Sequence, residues 1–85
     1  MTRKEKLLIK IIENPQSLKY PQIRKLLNKL GFVQKNIRGS HHKFRHPQLE
    51  QILSIPVHNN DCKEFYKVKI SVIIKNNFLW NILLQ

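Results

Sequence analysis

The chain has 85 residues, which is enough for one small domain, and we expect residues 1–85 to share a single core. Its composition, 41% hydrophobic and 25% charged, is typical of a globular protein and argues against a disordered one. Sixteen Lys and Arg residues against five Asp and Glu give a formal net charge of +11, which favours a nucleic acid or an acidic protein as partner.

Cysteine content and hydropathy indicate the compartment. Cys62 is the single cysteine, so an internal disulfide is excluded and a reducing environment fits. The N-terminal residues show no signal-peptide pattern, and no apolar run approaches the roughly 20 residues needed to cross a bilayer. We therefore expect a soluble cytoplasmic protein that does not enter membranes.

The first third of the chain predicts two helices. Residues 3–13 place their apolar side chains at helical spacing, and Pro15 disfavours continuation of that helix. A second helix begins at Tyr20 and Pro21, because proline suits the first turn of a helix. It is expected to end at Gly31, since glycine commonly follows the last turn.

After Gly31 the apolar period changes from 3.6 to 2, which predicts three antiparallel strands over residues 32–38, 41–46 and 49–57. Gly39 and Ser40 form the predicted tip of the first hairpin. Pro56 cannot donate to a sheet ladder, so the third strand is expected at an edge or distorted there.

The last part of the chain predicts a helix from about residue 65 or 67 to residue 84, with Asn76 and Asn77 as a place where it can end or weaken. The apolar residues 78–84 either complete the core or contact a partner. The predicted fold is α+β: an α-β-β-β-α unit like a double-stranded-RNA-binding domain, with helices on one face of the sheet and an extra N-terminal helix over residues 1–14.

The second strand carries three of the four histidines. Side chains alternate across a strand, and Phe44 is expected to face the helices, which places His42 and His46 on the same inner side. The opposite, open face then receives His41, Lys43 and Arg45, and the first strand adds Lys35 and Arg38.

An exposed imidazole among cations suits RNA cleavage. Such a reaction needs a base for the 2′-hydroxyl proton and positive charge near the phosphorus. The competing interpretation of this stretch is the solvated face of a basic strand. The histidines and Cys62 lack a metal-ligand spacing, so neither a metal nor another cofactor is expected.

Three blocks of the sequence together resemble the HicA toxin family. They match its L-x-x-x-G-F, G-S-H-H-x-F/Y-x-H-P and I-P-x-H patterns, and the resemblance covers about residues 19–75. The blocks are Leu26-Leu27-Asn28-Lys29-Leu30-Gly31-Phe32, Arg38-Gly39-Ser40-His41-His42-Lys43-Phe44-Arg45-His46-Pro47 and Ile55-Pro56-Val57-His58.

This resemblance implies a toxin of a type II toxin–antitoxin pair, with the fold of a double-stranded-RNA-binding domain. It implies a metal-independent endoribonuclease that cleaves mRNA and is neutralised by a HicB-type antitoxin. The family's essential histidine maps onto His41, and His42 is the second candidate because some members carry the histidine one place later. The residues expected to bind RNA are Lys35, Arg38, Ser40, Lys43 and Arg45.

Two other classes of function remain compatible with the sequence. A non-catalytic double-stranded-RNA-binding module would share the fold and the charge, but it would not need His41. An adaptor that binds an acidic protein through the basic face would neither protect nor cleave RNA.

Overall fold

The computed structural model describes residues 2–35 and 39–78, and its elements form an α+β fold. Three helices and one three-stranded antiparallel sheet follow one another in the order α-α-β-β-β-α, as the sequence predicts. The helices are α1 (Arg3–Glu13), α2 (Tyr20–Lys29) and α3 (Glu64–Asn77), and the strands are β1 (Val33–Gln34), β2 (His41–Arg45) and β3 (Leu53–Pro56).

Helix α1 begins with a capping box. The Thr2 hydroxyl accepts a hydrogen bond from the backbone N–H of Glu5, and the Glu5 carboxylate accepts one from the backbone N–H of Thr2. The apolar side of α1 packs against α2 and α3, so this additional helix shares its core with the rest of the domain. A short 3-10 helix, Pro15–Ser17, connects α1 to α2.

Helix α2 ends where the sequence predicts. Gly31 adopts a φ of +100°, a conformation that favours glycine, and the next residue, Phe32, donates its backbone N–H to the carbonyl of Leu27. The chain thereby reverses towards β1, and Phe32 enters the core.

The sheet has the strand order β1-β2-β3, so β2 is central and β3 lies at an edge. In the register, Val33 lies opposite Arg45 and His41 lies opposite Pro56. The edge position of β3 accommodates Pro56 without the loss of an interior ladder bond, as expected.

The strands are shorter than the sequence predicts. The Leu49 backbone N–H returns to the carbonyl of His46 and closes a turn at Pro47 and Gln48, and a bend at residues 50 and 51 follows, so residues 49–52 are not part of β3. Strand β1 is described only to Gln34, and residues 36–38 of the predicted first strand lie outside the described residues.

Helix α3 ends at Asn77, one of the two asparagines at which the sequence allowed it to end, and short of the predicted limit at residue 84. The following residue, Phe78, is 1% exposed and packs in the core, while residues 79–85 of the predicted helix and apolar tail lie outside the described residues. Before α3, Asn59 and Asn60 both adopt positive φ angles in a tight turn that His58 and Asp61 close with two backbone hydrogen bonds.

The core lies between the helices and the inner face of the sheet. Phe44, Leu53 and Ile55 from the strands are all less than 5% exposed, and they join the apolar residues of the three helices. The outer face of the sheet carries no helix from the described part of the chain, and its polar side chains remain open to solvent.

Candidate nucleic-acid interface

Strand β2 separates its side chains between two environments, as its alternation predicts. His41, Lys43 and Arg45 are exposed on the outer face, whereas Phe44 is fully buried and His46 is 7% exposed on the inner face. The intervening His42 is half-buried. One five-residue strand and the residue after it thus place three histidines in three different environments.

The open face, defined here as Lys35, His41, Lys43 and Arg45, is basic. The Lys35 backbone N–H donates to the Lys43 carbonyl over 2.7 Å, which sets Lys35, the residue after β1, opposite Lys43 of β2. None of the three cations has an acidic partner among the described residues, where both ion pairs belong to Asp61. The open face therefore holds positive charge that is available to an anion.

Lys35 and Arg45 also line a shallow groove of about 260 Å³ at one side of the open face. Val33, which is 56% exposed and lies opposite Arg45, provides an apolar part of its wall, and Pro47 also lines it. Cations beside an exposed apolar side chain suit a nucleotide, because phosphate and base can be contacted together.

The two residues directly before His41 form a turn. Gly39 takes a φ of +58°, and the Ser40 carbonyl accepts the backbone N–H of Val57 over 2.6 Å. His41 follows directly at the first position of β2, where the strand begins. Arg38, which the sequence assigns to the same surface, lies outside the described residues.

His42 is held from behind by helix α2. The Tyr20 hydroxyl and Nδ1 of His42 are 2.5 Å apart, and the two rings meet edge to face with centroids 5.1 Å apart. Burial lowers the pKa of His42, and the charge of Arg24 lowers it further. The burial of Tyr20 raises the pKa of its hydroxyl to about 12, so this hydroxyl keeps its proton at neutral pH.

His46 is a structural residue. Its Nε2 lies 2.9 Å from the carbonyl oxygen of Leu30, and its Nδ1 accepts the backbone N–H of Gln48 over 3.0 Å. Its ring packs between Phe32 and Phe78, with centroid distances of 4.8 and 4.7 Å. With both nitrogens occupied, His46 joins the end of α2 to the end of β2 and has no free atom for chemistry.

Asp61 supports the inner side of this region. One of its carboxylate oxygens accepts the backbone N–H groups of Tyr20 and Cys62, and its carboxylate lies 3.2 Å from the ammonium of Lys67 on α3. Partial burial raises the pKa of Asp61, but these backbone hydrogen bonds and the Lys67 charge outweigh it and hold the pKa below its ordinary value. Asp61 therefore anchors the start of α2, and with it Tyr20, to α3.

Strand alternation predicted the side of β2 on which each histidine lies, and the structure agrees. The contacts of Tyr20 with His42 and of Lys67 with Asp61 were not predicted. Tyr20 was interpreted only as the start of the second helix, and Lys67 only as a possible start of the last helix, although Lys67 is 5% exposed. Tyr20 and His42 are 22 residues apart, and Asp61 and Lys67 lie in a turn and in the helix that follows it, so no local period reveals either contact. The available signal was chemical: a buried tyrosine or lysine requires a polar partner, and Asp61 is one of only five acidic residues.

Within the described ranges, no three His, Cys, Asp or Glu side chains gather as a set of metal ligands. No helix of this part is both long and apolar enough to cross a membrane.

Comparison with protein families matches residues 20–71, more than half of the chain, to the family described as "HicA toxin of bacterial toxin-antitoxin". The matched segment runs from the start of α2 into α3 and contains the whole sheet. Searches of the curated proteins and of the solved structures returned no match. The family match confirms the resemblance seen in the sequence blocks.

Proposed function

The chain belongs to the HicA toxin family of bacterial toxin–antitoxin systems, and from that premise we propose that it is an endoribonuclease that cleaves mRNA and so stops translation and growth. The observation that carries this proposal is the position of His41. It is exposed at the start of the central strand, on the same face as Lys35, Lys43 and Arg45, which have no acidic partner among the described residues.

His41 acts as the general base in this proposal. Its imidazole takes the proton of an RNA 2′-hydroxyl, and the 2′-oxygen then forms a bond to the adjacent phosphorus. The bond from phosphorus to the 5′-oxygen breaks, and the departing 5′-oxygen takes a proton from water. The products are a 2′,3′-cyclic phosphate and a free 5′-hydroxyl, and His41 returns its proton to solvent.

The cations of the open face bind the RNA backbone. Lys43 is two residues from His41 on the same face of the strand, and Lys35 lies opposite Lys43. Arg45 lines the groove beside Val33. Together they concentrate phosphates near His41 and stabilise the charge that develops on phosphorus. Ser40 and Arg38, which flank Gly39, belong to the same RNA-binding set.

A HicB-type antitoxin neutralises the toxin in this proposal by covering the open face. Acidic side chains of such a partner would pair with Lys43 and Arg45 and deny RNA access to His41. The unpaired cations of the described open face support this arrangement.

The test compares wild type with His41→Ala in cells under a tightly controlled promoter and on purified RNA. Wild type is expected to arrest growth and degrade mRNA, and His41→Ala to lower the cleavage rate by about 10²- to 10⁴-fold, because a general base contributes that much. His58→Ala is the matched control, since His58 is also exposed but lies in the turn before α3. RNA with 2′-O-methyl groups is expected to bind without being cut.

Several results would contradict the proposal. If His41→Ala cleaves as wild type does and His42→Ala does not, His42 is the base. If neither substitution changes cleavage, the histidine mechanism is wrong. If wild type binds RNA but never cuts it, the protein is the non-catalytic double-stranded-RNA-binding module. A chelator is expected to leave cleavage unchanged.

A further inference from the structure

Among the described residues, the His42 side chain has one hydrogen-bond partner, and that partner sets the position of its proton. Tyr20 is 1% exposed, and its hydroxyl has no other acceptor among the described residues than Nδ1 of His42. A buried hydroxyl that lacks an acceptor is costly, so Tyr20 donates to Nδ1. The neutral imidazole then carries its proton on Nε2.

The protonated Nε2 of His42 reaches solvent. It has no hydrogen-bond partner in the described part of the chain. No buried side-chain nitrogen or oxygen there lacks a partner, so an unpaired Nε2 must be accessible to solvent. The Tyr20 contact thus holds an N–H donor in one orientation at the surface, beside the hairpin that precedes His41.

Arg24 supplies a cation to the same place. It lies four residues after Tyr20 on α2, hence on the same side of that helix and one turn along it. Its charge is felt at both Tyr20 and His42. Arg24 is exposed and has no ion pair with any described acidic residue.

We propose that His42 and Arg24, with Tyr20 behind them, form a second phosphate-binding subsite for RNA on the helix side of β2. The Nε2–H of His42 donates to a phosphate oxygen of the RNA backbone, and the Arg24 guanidinium pairs with the same phosphate. This subsite is distinct from the open face, because neighbouring residues of a strand point to opposite sides. RNA bound to His41 thereby continues around the hairpin end of the sheet onto α2. The inference rests on the proposed function for the identity of the ligand.

The test measures binding of a fluorescent 2′-O-methyl RNA about 16 nucleotides long, which covers the span of a small single-strand site and cannot be cleaved by attack of the 2′-oxygen. Arg24→Gln is expected to weaken binding about 5- to 10-fold. It should also reduce the slope of log K against log salt concentration by about 0.7, the value for one phosphate contact on a single strand. The matched control is Lys25→Gln, the same change of charge at the next, also exposed position of α2.

His42→Asn separates the donor from its support. The asparagine oxygen can still accept the Tyr20 hydroxyl, as Nδ1 does, but no donor remains at the position of Nε2. We expect weaker RNA binding, by about 3- to 10-fold, with an unchanged urea midpoint. In nitrogen-15 spectra of the wild-type protein, His42 should show an unprotonated Nδ1 and a protonated Nε2.

The outcomes distinguish this inference from the proposed function. If Arg24→Gln and Lys25→Gln bind the RNA equally well and with equal salt slopes, the subsite is wrong even though cleavage stands. If wild type binds but does not cleave, a specific loss in Arg24→Gln still supports the subsite. If wild type does not bind RNA at all, both proposals fail. If Arg24→Gln weakens only the binding of an acidic antitoxin, the surface recognises protein and the subsite is also wrong.

Discussion

The two sides of strand β2 show how one short sequence yields different roles for the same residue type. On the open face, His41, Lys43 and Arg45 are exposed and have no acidic partner among the described residues. On the inner side, His46 uses both ring nitrogens for internal hydrogen bonds and packs between two phenylalanines. The difference teaches that histidines of one cluster must be separated by their exposure and by the partners of their ring nitrogens before a role is proposed for any of them.

His42 is intermediate between His41 and His46 in its exposure, and its role depends on its contact with Tyr20 of α2. Its side chain belongs to the inner side of the strand, yet within residues 2–35 and 39–78 only its Nδ1 has a hydrogen-bond partner. Apart from His42, whose second ring nitrogen has no partner among the described residues, substitutions on the inner side should therefore act through the free energy of unfolding. Substitutions on the open face should act through RNA cleavage and binding.

The largest expected loss of stability comes from Asp61→Ala. The substitution leaves Lys67, whose side chain is 6% exposed, without its carboxylate, and it also removes the acceptor of the Tyr20 and Cys62 N–H groups. Removal of one partner of a buried ion pair costs about 3–5 kcal/mol. Because Asp61 is partly exposed, we expect a loss at the lower end of that range, about 3 kcal/mol. Urea unfolding followed by circular dichroism measures it.

Glu50→Ala is the control for that change, because Glu50 is exposed and takes part in neither described ion pair. We expect it to alter the free energy of unfolding by less than about 0.5 kcal/mol. Equal effects of the two substitutions would show that Asp61 does not support the inner side.

His46→Ala is expected to lower the free energy of unfolding by about 2 kcal/mol. It removes the hydrogen bond to the Leu30 carbonyl and leaves a cavity between Phe32 and Phe78. The exposed His41→Ala should change the same quantity by less than about 0.5 kcal/mol. Cleavage per folded molecule should show the reverse order, and a full loss of cleavage in folded His46→Ala would break the division.

Gly31→Ala tests the close approach of α2 to His46. The φ of +100° at Gly31 disfavours any side chain, and an added Cβ would lie 3.1 Å from Nε2 of His46. We expect a loss of about 1–2 kcal/mol in the free energy of unfolding. Asn28→Ala, on the exposed side of α2, is the control, and an equal effect of both changes would contradict the role assigned to Gly31.

The smallest effect concerns pH and His42. Because burial lowers the pKa of His42 in the folded state, the unfolded chain takes up a proton at higher pH than the folded one does. The stability that this residue contributes is therefore complete above the ordinary value of 6.5, and it declines as the pH falls below that value towards the folded pKa. Urea unfolding at pH 7.5 and 5.5 measures this loss.

His42→Asn cannot titrate, so its free energy of unfolding should fall less between those two pH values than that of wild type. The difference between the two proteins isolates the contribution of His42 from that of the other histidines. Parallel pH dependences would show that His42 does not titrate differently in the two states.

Much of the fold followed from local features of the sequence. Helix α1 matches the predicted range 3–13, and α2 runs from Tyr20 to the turn at Gly31, because apolar period, proline and glycine act within a few residues. The start of β3, which depends on a distant partner, was wrong, because β3 starts at Leu53 instead of residue 49 and only residues 53–56 lie opposite β2. Helix α3 stops at Asn77, one of the two asparagines at which the sequence allowed it to end, and Phe78 enters the core.

The sequence by itself determined the α+β order of elements, the family, and the side of β2 on which each histidine lies, because strand alternation has a strict period of two. Only the tertiary structure decided what each histidine touches. Tyr20 and His42 are 22 residues apart in the chain, and Leu30 and His46 are 16 apart. Asp61 contacts Tyr20 across 41 residues and Lys67 across 6. Such contacts arise when helices close over the sheet and each buried polar group must find a partner, and local periodicity does not encode that choice.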